Sequence, residues 1–372
     1  MRRSHAVTAW SAALFVSVCY AFFRGFHAAG LWTVNYYQAG FIDGFHRRAL
    51  LGTLLAPFGC HRFDYFFIEP IQFMVLGAAL GLLLYYGIKN REYPTLTVFF
   101  ISAAGGYFFD EVGYPEQFLW LLAAAALYAL KKNHKFLGAA CLCLAIMVHE
   151  MALLMVLPLA LAWWVLQEKE SLESGVAIFL PPIVVFLILT AWFQTVPDAT
   201  ITRYFDSAAN CGYPVMRKDY FQVYQSQFAG EGAKRFTYSA GQLAAAVLPV
   251  LALAAALVFA IRKKLGLVLP RQAVIALCCV SPLCLGMFGS DSERWIFIAL
   301  TQIIVIGLFA SARVRDAKGI LSGSPLFMAV LVLLAAILQL HYFYGEPRPL
   351  TLVHLRSFAD YVAGQIANPF YY

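Results

Sequence analysis

Charge is scarce in this chain. Asp, Glu, Lys and Arg make up 13% of its 372 residues, about half the ~25% carried by soluble globular domains. Hydrophobic residues fill 62% of it, and the mean hydropathy is +0.71. A water-soluble fold of this length could not hide so much apolar surface. A bilayer can, since a spanning helix needs about 20 mostly apolar residues. Other features are missing too. Alternating segments of roughly 10 residues, the mark of a membrane barrel, do not occur. There is no Gly-rich nucleotide loop or Walker motif, no zinc-type Cys/His spacing, and no repeat or low-complexity tract. The net charge of +7 is scattered over short connections. It serves to orient helices in a membrane and does not point to a nucleic-acid partner.

What remains is a series of eleven apolar blocks, at about 6–23, 67–88, 95–109, 117–130, 136–148, 151–166, 175–193, 242–261, 272–288, 296–311 and 325–342. They predict an all-α fold: a polytopic transmembrane helical bundle of about 11 helices, one membrane domain over residues 1–372. The first block lacks a small-x-small cleavage site and reads as a retained helix. Residues 136–166 can form one long helix or a hairpin turning at His149-Glu150. One helix would put RKKLGLVLPR (262–271) on the outer side, whereas a hairpin gathers Lys and Arg in the cytoplasm, as the positive-inside rule requires. The hairpin is therefore expected, with the N-terminus cytoplasmic. Thirteen residues cover only about 20 Å at 1.5 Å per residue, so His149 and Glu150 should be recessed below the outer surface.

Two extracytoplasmic segments are long, 24–66 and 194–241, and should form an outer cap. Within the first, 43–55 can lie on the membrane surface as an amphipathic helix. The segments contain Cys60 and Cys211, candidates for a disulfide in a compartment that permits one; two unpaired thiols are the alternative. The other six cysteines fall in apolar blocks as packing residues.

On this topology fifteen of the twenty acidic residues lie outside. Only Glu92, Glu168, Glu170, Glu173 and Asp316 do not. Several sit at the tips of short connections, where ionisable groups are costly and mark candidate sites. Separate helix ends bring Asp43, beside His46, Arg47 and Arg48, to one face with Asp110 and Glu111, His149 and Glu150, and Asp291, Glu293 and Arg294. Each set has a structural alternative. Asp43 can pair with Arg47 across a helical turn, Arg47 and Arg48 can anchor lipid head groups, Asp110-Glu111 can be a solvated turn, His149-Glu150 a buried hydrogen-bonded pair, and Asp291-Arg294 a capping pair. As a site, the set suits transfer from a lipid phosphate. A carboxylate takes the acceptor's proton, and arginine neutralises the departing phosphate through bidentate bonds. Arg203, in the second outer segment, is a further substrate-binding candidate. A divalent ion bridging Asp43 and Asp110 or Glu150 is compatible with this chemistry, but no cofactor is assigned.

The stretches GFHRRALLG, VHEMALLMVLP and SDSERW resemble GF-x-RR-x-LLG, HE and D-x-x-RW-like motifs of bacterial polytopic proteins linked to surface-polysaccharide synthesis. The wider architecture is similar to the GT-C glycosyltransferases, whose catalytic acid follows the first helix. The resemblance implies Asp43 as base, Arg47, Arg48 and Arg294 on the donor phosphate, and His149 and Glu150 at the acceptor. It implies a membrane glycosyltransferase in the bacterial inner membrane, active on the extracytoplasmic face. The partners would be a polyprenyl-phosphate-linked sugar, a glycan or lipid acceptor, and membrane lipids. The alternatives are a polysaccharide polymerase or ligase acting on lipid-linked glycans and, in another class, a transporter or flippase.

Overall fold

The computed structural model describes residues 2–28, 33, 36–58, 65–110, 112–167, 171–192, 194–210, 240–287, 291–314, 319–338 and 348–367. Cys60, Cys211 and Glu111 lie outside the described residues. Among those described, every regular element is helical. In chain order these are α1 (Arg2–Gly25), α2 (Leu50–Leu55), α3 (Tyr65–Lys89), α4 (Tyr93–Ile101), α5 (Ala103–Asp110), α6 (Pro115–Lys131), α7 (Lys135–Val148) and α8 (Ala152–Leu166). They continue with α9 (Leu172–Ala191), α10 (Asp198–Asn210), α11 (Ala240–Leu265), α12 (Leu269–Val280), α13 (Ser292–Ser311), α14 (Pro325–Ile337) and α15 (Leu352–Ala367).

Six stretches are long and apolar enough to cross a bilayer: those in α1, α3, α9, α11 and α13, and α12 with the 3-10 turn that extends it. Helices α7, α8 and α14 are equally apolar but shorter. Several apolar helices could thus span a membrane, consistent with a multi-pass membrane protein. The centre of the bundle is α13, whose apolar window is 89% buried against 22–44% in the other five. Closed helices satisfy their own backbone, which lipid cannot do. Between them, polar side chains act as cross-links. Gln302 of α13 is fully buried and donates to the carbonyl of Cys278 at 2.5 Å and to Ser281 Oγ at 3.1 Å; Ser281 in turn donates to the carbonyl of Leu154 in α8 at 2.8 Å. Where α1 crosses α5, Gly25 lies so close to Gly106 that a Cβ would sit 1.8 Å from its carbonyl oxygen. Small residues permit such contacts between membrane helices.

The bundle has two polar ends, and α13 joins them. One end holds the loop from Tyr36 to Arg48, the starts of α6 and α13, and the α7–α8 connection. The other holds Asn90, Glu92, Gln167 and Arg313. There Asn90 donates to the carbonyl of Leu308 at 3.0 Å, and Arg313 meets Gln167. The start of α7 lies beside the start of α9, where Lys135 donates to Ser174. Helix α7 ends at Val148, His149 is extended, and α8 begins at Ala152, so residues 136–166 are two helices.

Three elements differ from the sequence reading. The block at 95–109 is two helices, α4 and α5, because Ser102 adopts an extended backbone (ψ 165°) and its hydroxyl bonds the carbonyl of Phe99. The helix expected over 43–55 is only Leu50–Leu55. Gly44 (φ 129°) and Arg48 (φ 63°) turn the chain out of helical geometry before it. The pairing of Asp43 with Arg47 across a helical turn is lost with that helix. Helix α15 matches none of the eleven blocks. It is held on α1 by Phe358, edge-on to Phe22 and Phe23, and by Tyr361, whose hydroxyl accepts from the Ala28 N–H at 2.8 Å.

At the second end Glu92 is fully buried and accepts five hydrogen bonds: from the hydroxyls of Thr95, Ser311 and Ser322, and from the N–H groups of Leu321 (2.9 Å) and Ser322 (2.7 Å). It ties α3, α4, α13 and the loop before α14 together. Gly319 is required beside it, since a Cβ there would sit 1.9 Å from Glu92 Oε1. Glu92→Gln turns an acceptor into a donor facing donors. It should cost about 1–3 kcal/mol, read as a lowered thermal midpoint in detergent.

Candidate functional site

The first polar end is assembled from four segments. The tight turns of the 40–48 loop bring its basic side chains inward. Gly52 allows α2 to touch the preceding strand of chain, where a Cβ would sit 2.1 Å from the carbonyl oxygen of Ala39. Arg48 holds a left-handed backbone, which is uncommon for a residue with a Cβ and tends to occur where a side chain must be aimed. Its guanidinium meets Glu150 head-on: Nε lies 3.0 Å from both carboxylate oxygens, and Nη2 also contacts Oε1. Arg47 reaches the same carboxylate at 3.3 Å. Glu150 and the two arginines are each only 10–14% exposed at the side chain.

The second half of the cluster rises from α6 and α13. Arg294, in the first turn of α13, donates through Nε to Glu116 at 2.5 Å and through Nη1 to Asp291 at 3.4 Å. Asp291 is the residue before α13 but makes no side-chain cap there; its carboxylate faces Arg294 instead. Two tyrosines bridge the halves. The Arg294 guanidinium stacks 4.8 Å from the Tyr114 ring and that of Arg48 5.9 Å from Tyr36, while Tyr36 lies 5.8 Å from both Tyr114 and the His149 imidazole. Cation–π contacts of this kind strengthen when desolvated. Glu150 and Arg294, distant in sequence, therefore belong to one buried cluster.

His149 is buried at its centre. Its Nδ1 accepts the Met151 N–H at 3.1 Å, so in the neutral ring the proton sits on Nε2. Burial, then the charge of Arg48, holds its pKa well below the ordinary histidine value. Glu150 is pulled two ways. Burial alone would raise its pKa, but Arg48 and Arg47 outweigh that and hold it well below the usual carboxylate range. The two groups titrate in separate windows. An unfolded histidine takes up a proton below about pH 6.5, whereas the folded His149 resists it, so its contribution to stability is full above that pH and falls as pH drops. Glu150 loses its contribution only below about pH 4.5. The thermal midpoint should therefore decline from pH 7 to pH 5, and His149→Gln should flatten that slope.

Asp43 belongs to the same loop but faces another way. Its carboxylate accepts the Gly40 N–H at 3.1 Å, the Tyr204 hydroxyl, and Arg203 at 3.4 Å. Burial, then the bond to Asp43, raises the Tyr204 pKa. The second long segment thus docks on the first, and a backbone pair reinforces it: Gln194 N–H to the Phe45 carbonyl at 2.8 Å, with the Gln194 side chain accepting from Phe45 at 3.0 Å. Arg203 itself is 68% exposed at the side chain.

Two other candidates occupy different surroundings. His46 is buried with Nδ1 and Nε2 facing the carbonyls of Arg47 and Gly40, so the ring props the loop. Asp110 is buried at the end of α5, in electrostatic range of Arg348 and Tyr361. Among the described residues no three His, Cys, Asp or Glu side chains gather as a metal would need.

Sequence reasoning missed Tyr36, Tyr114, Glu116 and Tyr204. Glu116 was on the outer side of the expected topology but was not singled out. The one available signal was its place in the first turn of a helix that starts at a proline, in YPEQ. Compared with protein-family models, curated proteins and solved structures, the chain matches none.

Proposed function

We propose that this chain is a membrane glycosyltransferase of about eleven spans with a GT-C-like arrangement. On this reading it moves a sugar from a polyprenyl-phosphate donor to a glycan or lipid acceptor at the extracytoplasmic face of a bacterial inner membrane. The observation that carries the reading is the buried cluster itself. Three arginines, two of them stacked on tyrosines, meet around a neutral histidine at one end of a membrane bundle. Such a set recognises an anionic head group held at the membrane edge, because fixed guanidiniums stabilise developing phosphate charge without reorganising.

In the reaction the acceptor hydroxyl attacks the anomeric carbon. The bond from that carbon to the phosphate oxygen breaks, the electron pair leaves with the lipid phosphate, and the hydroxyl proton passes to a carboxylate. Asp43 is the base candidate: the Tyr204 hydroxyl on its Oδ2 marks where an acceptor hydroxyl would dock. His149, which carries its proton on Nε2 in the neutral ring, lies against Tyr36 in the arginine cluster. The docking of α10 over Asp43 favours the second reading, a polymerase or ligase, to the extent that a longer glycan needs a covering segment.

The test uses membranes containing the full chain and a polyprenyl-phosphate sugar labelled in the sugar, with release of the lipid phosphate as the readout. Asp43→Asn should lower turnover at least 100-fold, about 2.7 kcal/mol of barrier, while Tyr204→Phe, which frees the carboxylate, retains it. Wild-type turnover in Asp43→Asn would remove the base assignment, and donor left intact by the wild-type chain across a panel of sugars would remove the transfer reading.

A further inference from the structure

Beneath Arg294 a cavity opens between α3, α5, α6, α8 and α13, with about 680 Å³ of empty space when the open solvent at its mouth is included. Its walls are apolar, with Leu82, Tyr86, Trp120, Leu159, Val305 and Phe309 among them. Phe108, Trp120 and Thr301 are shared with a second, smaller space that reaches Glu116 and Gln117, about 300 Å³ with open solvent included. From Ile298 to Phe309 the two run along α13 for about 16 Å, from the polar cluster toward the opposite end of the bundle. Apolar space of this kind, bordered by the candidate spans α3 and α13, fits a hydrocarbon chain and offers nothing to a hydrated ion.

The polar tip of that shaft specifies more. One oxygen of Glu116 is engaged by Arg294. The other, Oε2, and the amide oxygen of Gln117 are buried and find no donor among the described residues. Both residues line the smaller space and are at most 4% exposed. Buried acceptors left without donors are costly, so the complementary ligand brings O–H groups. A phosphate or carboxylate at this position would bring further negative charge against Glu116 and no donor. We propose that the α3–α6–α8–α13 cavity binds the hydrocarbon chain of a lipid whose polar end is a free hydroxyl, with Glu116 and Gln117 accepting from that hydroxyl. The binding does not rest on the transfer reading, whose acceptor hydroxyl meets Asp43 at a different position.

The experiment uses the full chain in lipid nanodiscs and three photoreactive C16 probes with a mid-chain diazirine: the alcohol, the alkane and the fatty acid. The alcohol should label peptides of α6 and α13 at least fivefold more than either other probe, and unlabelled hexadecanol should compete it away. Gln117→Leu should reduce alcohol labelling to the level of the alkane, and Ala123→Trp, which fills the shaft, should remove it. Equal labelling by the three probes, failure of hexadecanol to compete, or unchanged labelling in Gln117→Leu would each overturn the proposal. The wild-type competition and Gln117→Leu decide the matter if Ala123→Trp does not fold. No sugar donor is present in the labelling, so absence of alcohol-selective labelling in the wild-type chain with transfer intact removes this lipid site alone, and absence of wild-type transfer with that labelling intact removes the enzyme reading alone.

Discussion

Glu150→Gln is expected to be the most damaging single change in the chain, lowering stability by about 3–5 kcal/mol and abolishing the proposed transfer. The reason is what it leaves behind. Arg48 and Arg47 both deliver their charge to this carboxylate at 3.0–3.3 Å from positions almost removed from solvent. Neutralising Glu150 strands two guanidiniums whose desolvation was offset by it, and a buried ion pair broken on one side costs far more than the intact pair contributes. The measurement is thermal unfolding in detergent, with the double variant Glu150→Gln/Arg48→Met as control. Removing one of the stranded cations should restore part of the loss, so the coupling between the two substitutions should exceed 1 kcal/mol. A double variant whose loss equals the sum of the singles would show that Arg48 and Glu150 are energetically independent.

The second large effect is expected at Arg294. Arg294→Lys keeps the charge but gives up the fork to Glu116 and Asp291 and the stacking on Tyr114 and Trp295. An ammonium is a point charge on a flexible stem and cannot meet two carboxylates and two rings together. Turnover should fall at least 100-fold, corresponding to about 2.7 kcal/mol, with a smaller drop in thermal midpoint than Glu150→Gln because the charge itself survives. A Lys variant with full turnover would assign Arg294 to holding α6 against α13 and remove it from the proposed donor site.

Much of the helical layout was legible because apolar runs and charge placement report directly on it. The blocks at 136–148 and 151–166 correspond to α7 and α8 within a residue or two, and positive charge alone argued for the break between them. The gathering of Arg47 and Arg48 on Glu150 was readable only in part, since Asp43 and Asp110, expected in the same set, have other partners. What was not legible depends on direction in space. Nothing in GFHRRALLG says that a left-handed Arg48 turns its side chain to Glu150, or that Asp43 faces α10. Tyr36 and Tyr114 look like ordinary interfacial aromatics until their rings are seen between the arginines. Glu92 stands beside Arg91 and reads as a solvated loop acid; its burial depends on a loop more than two hundred residues later. Helix α15 escaped because its apolar residues follow a mixed polar pattern and its contacts are with α1 and the residues just after it.

The enclosed position of α13 has a consequence for biosynthesis. The most deeply buried helix is among the last to leave the ribosome, yet it carries partners for acids made long before it. Until Arg294 arrives, Glu116 has no guanidinium beside it, and until Ser311 and the residues after it arrive, Glu92 lacks most of its donors. A nascent chain halted before residue 292 would therefore hold two unmatched carboxylates in an open-sided shell of helices. Assembly must finish by closing that shell around a late-arriving core, and truncation anywhere short of it exposes the kind of surface that membrane quality-control proteases recognise.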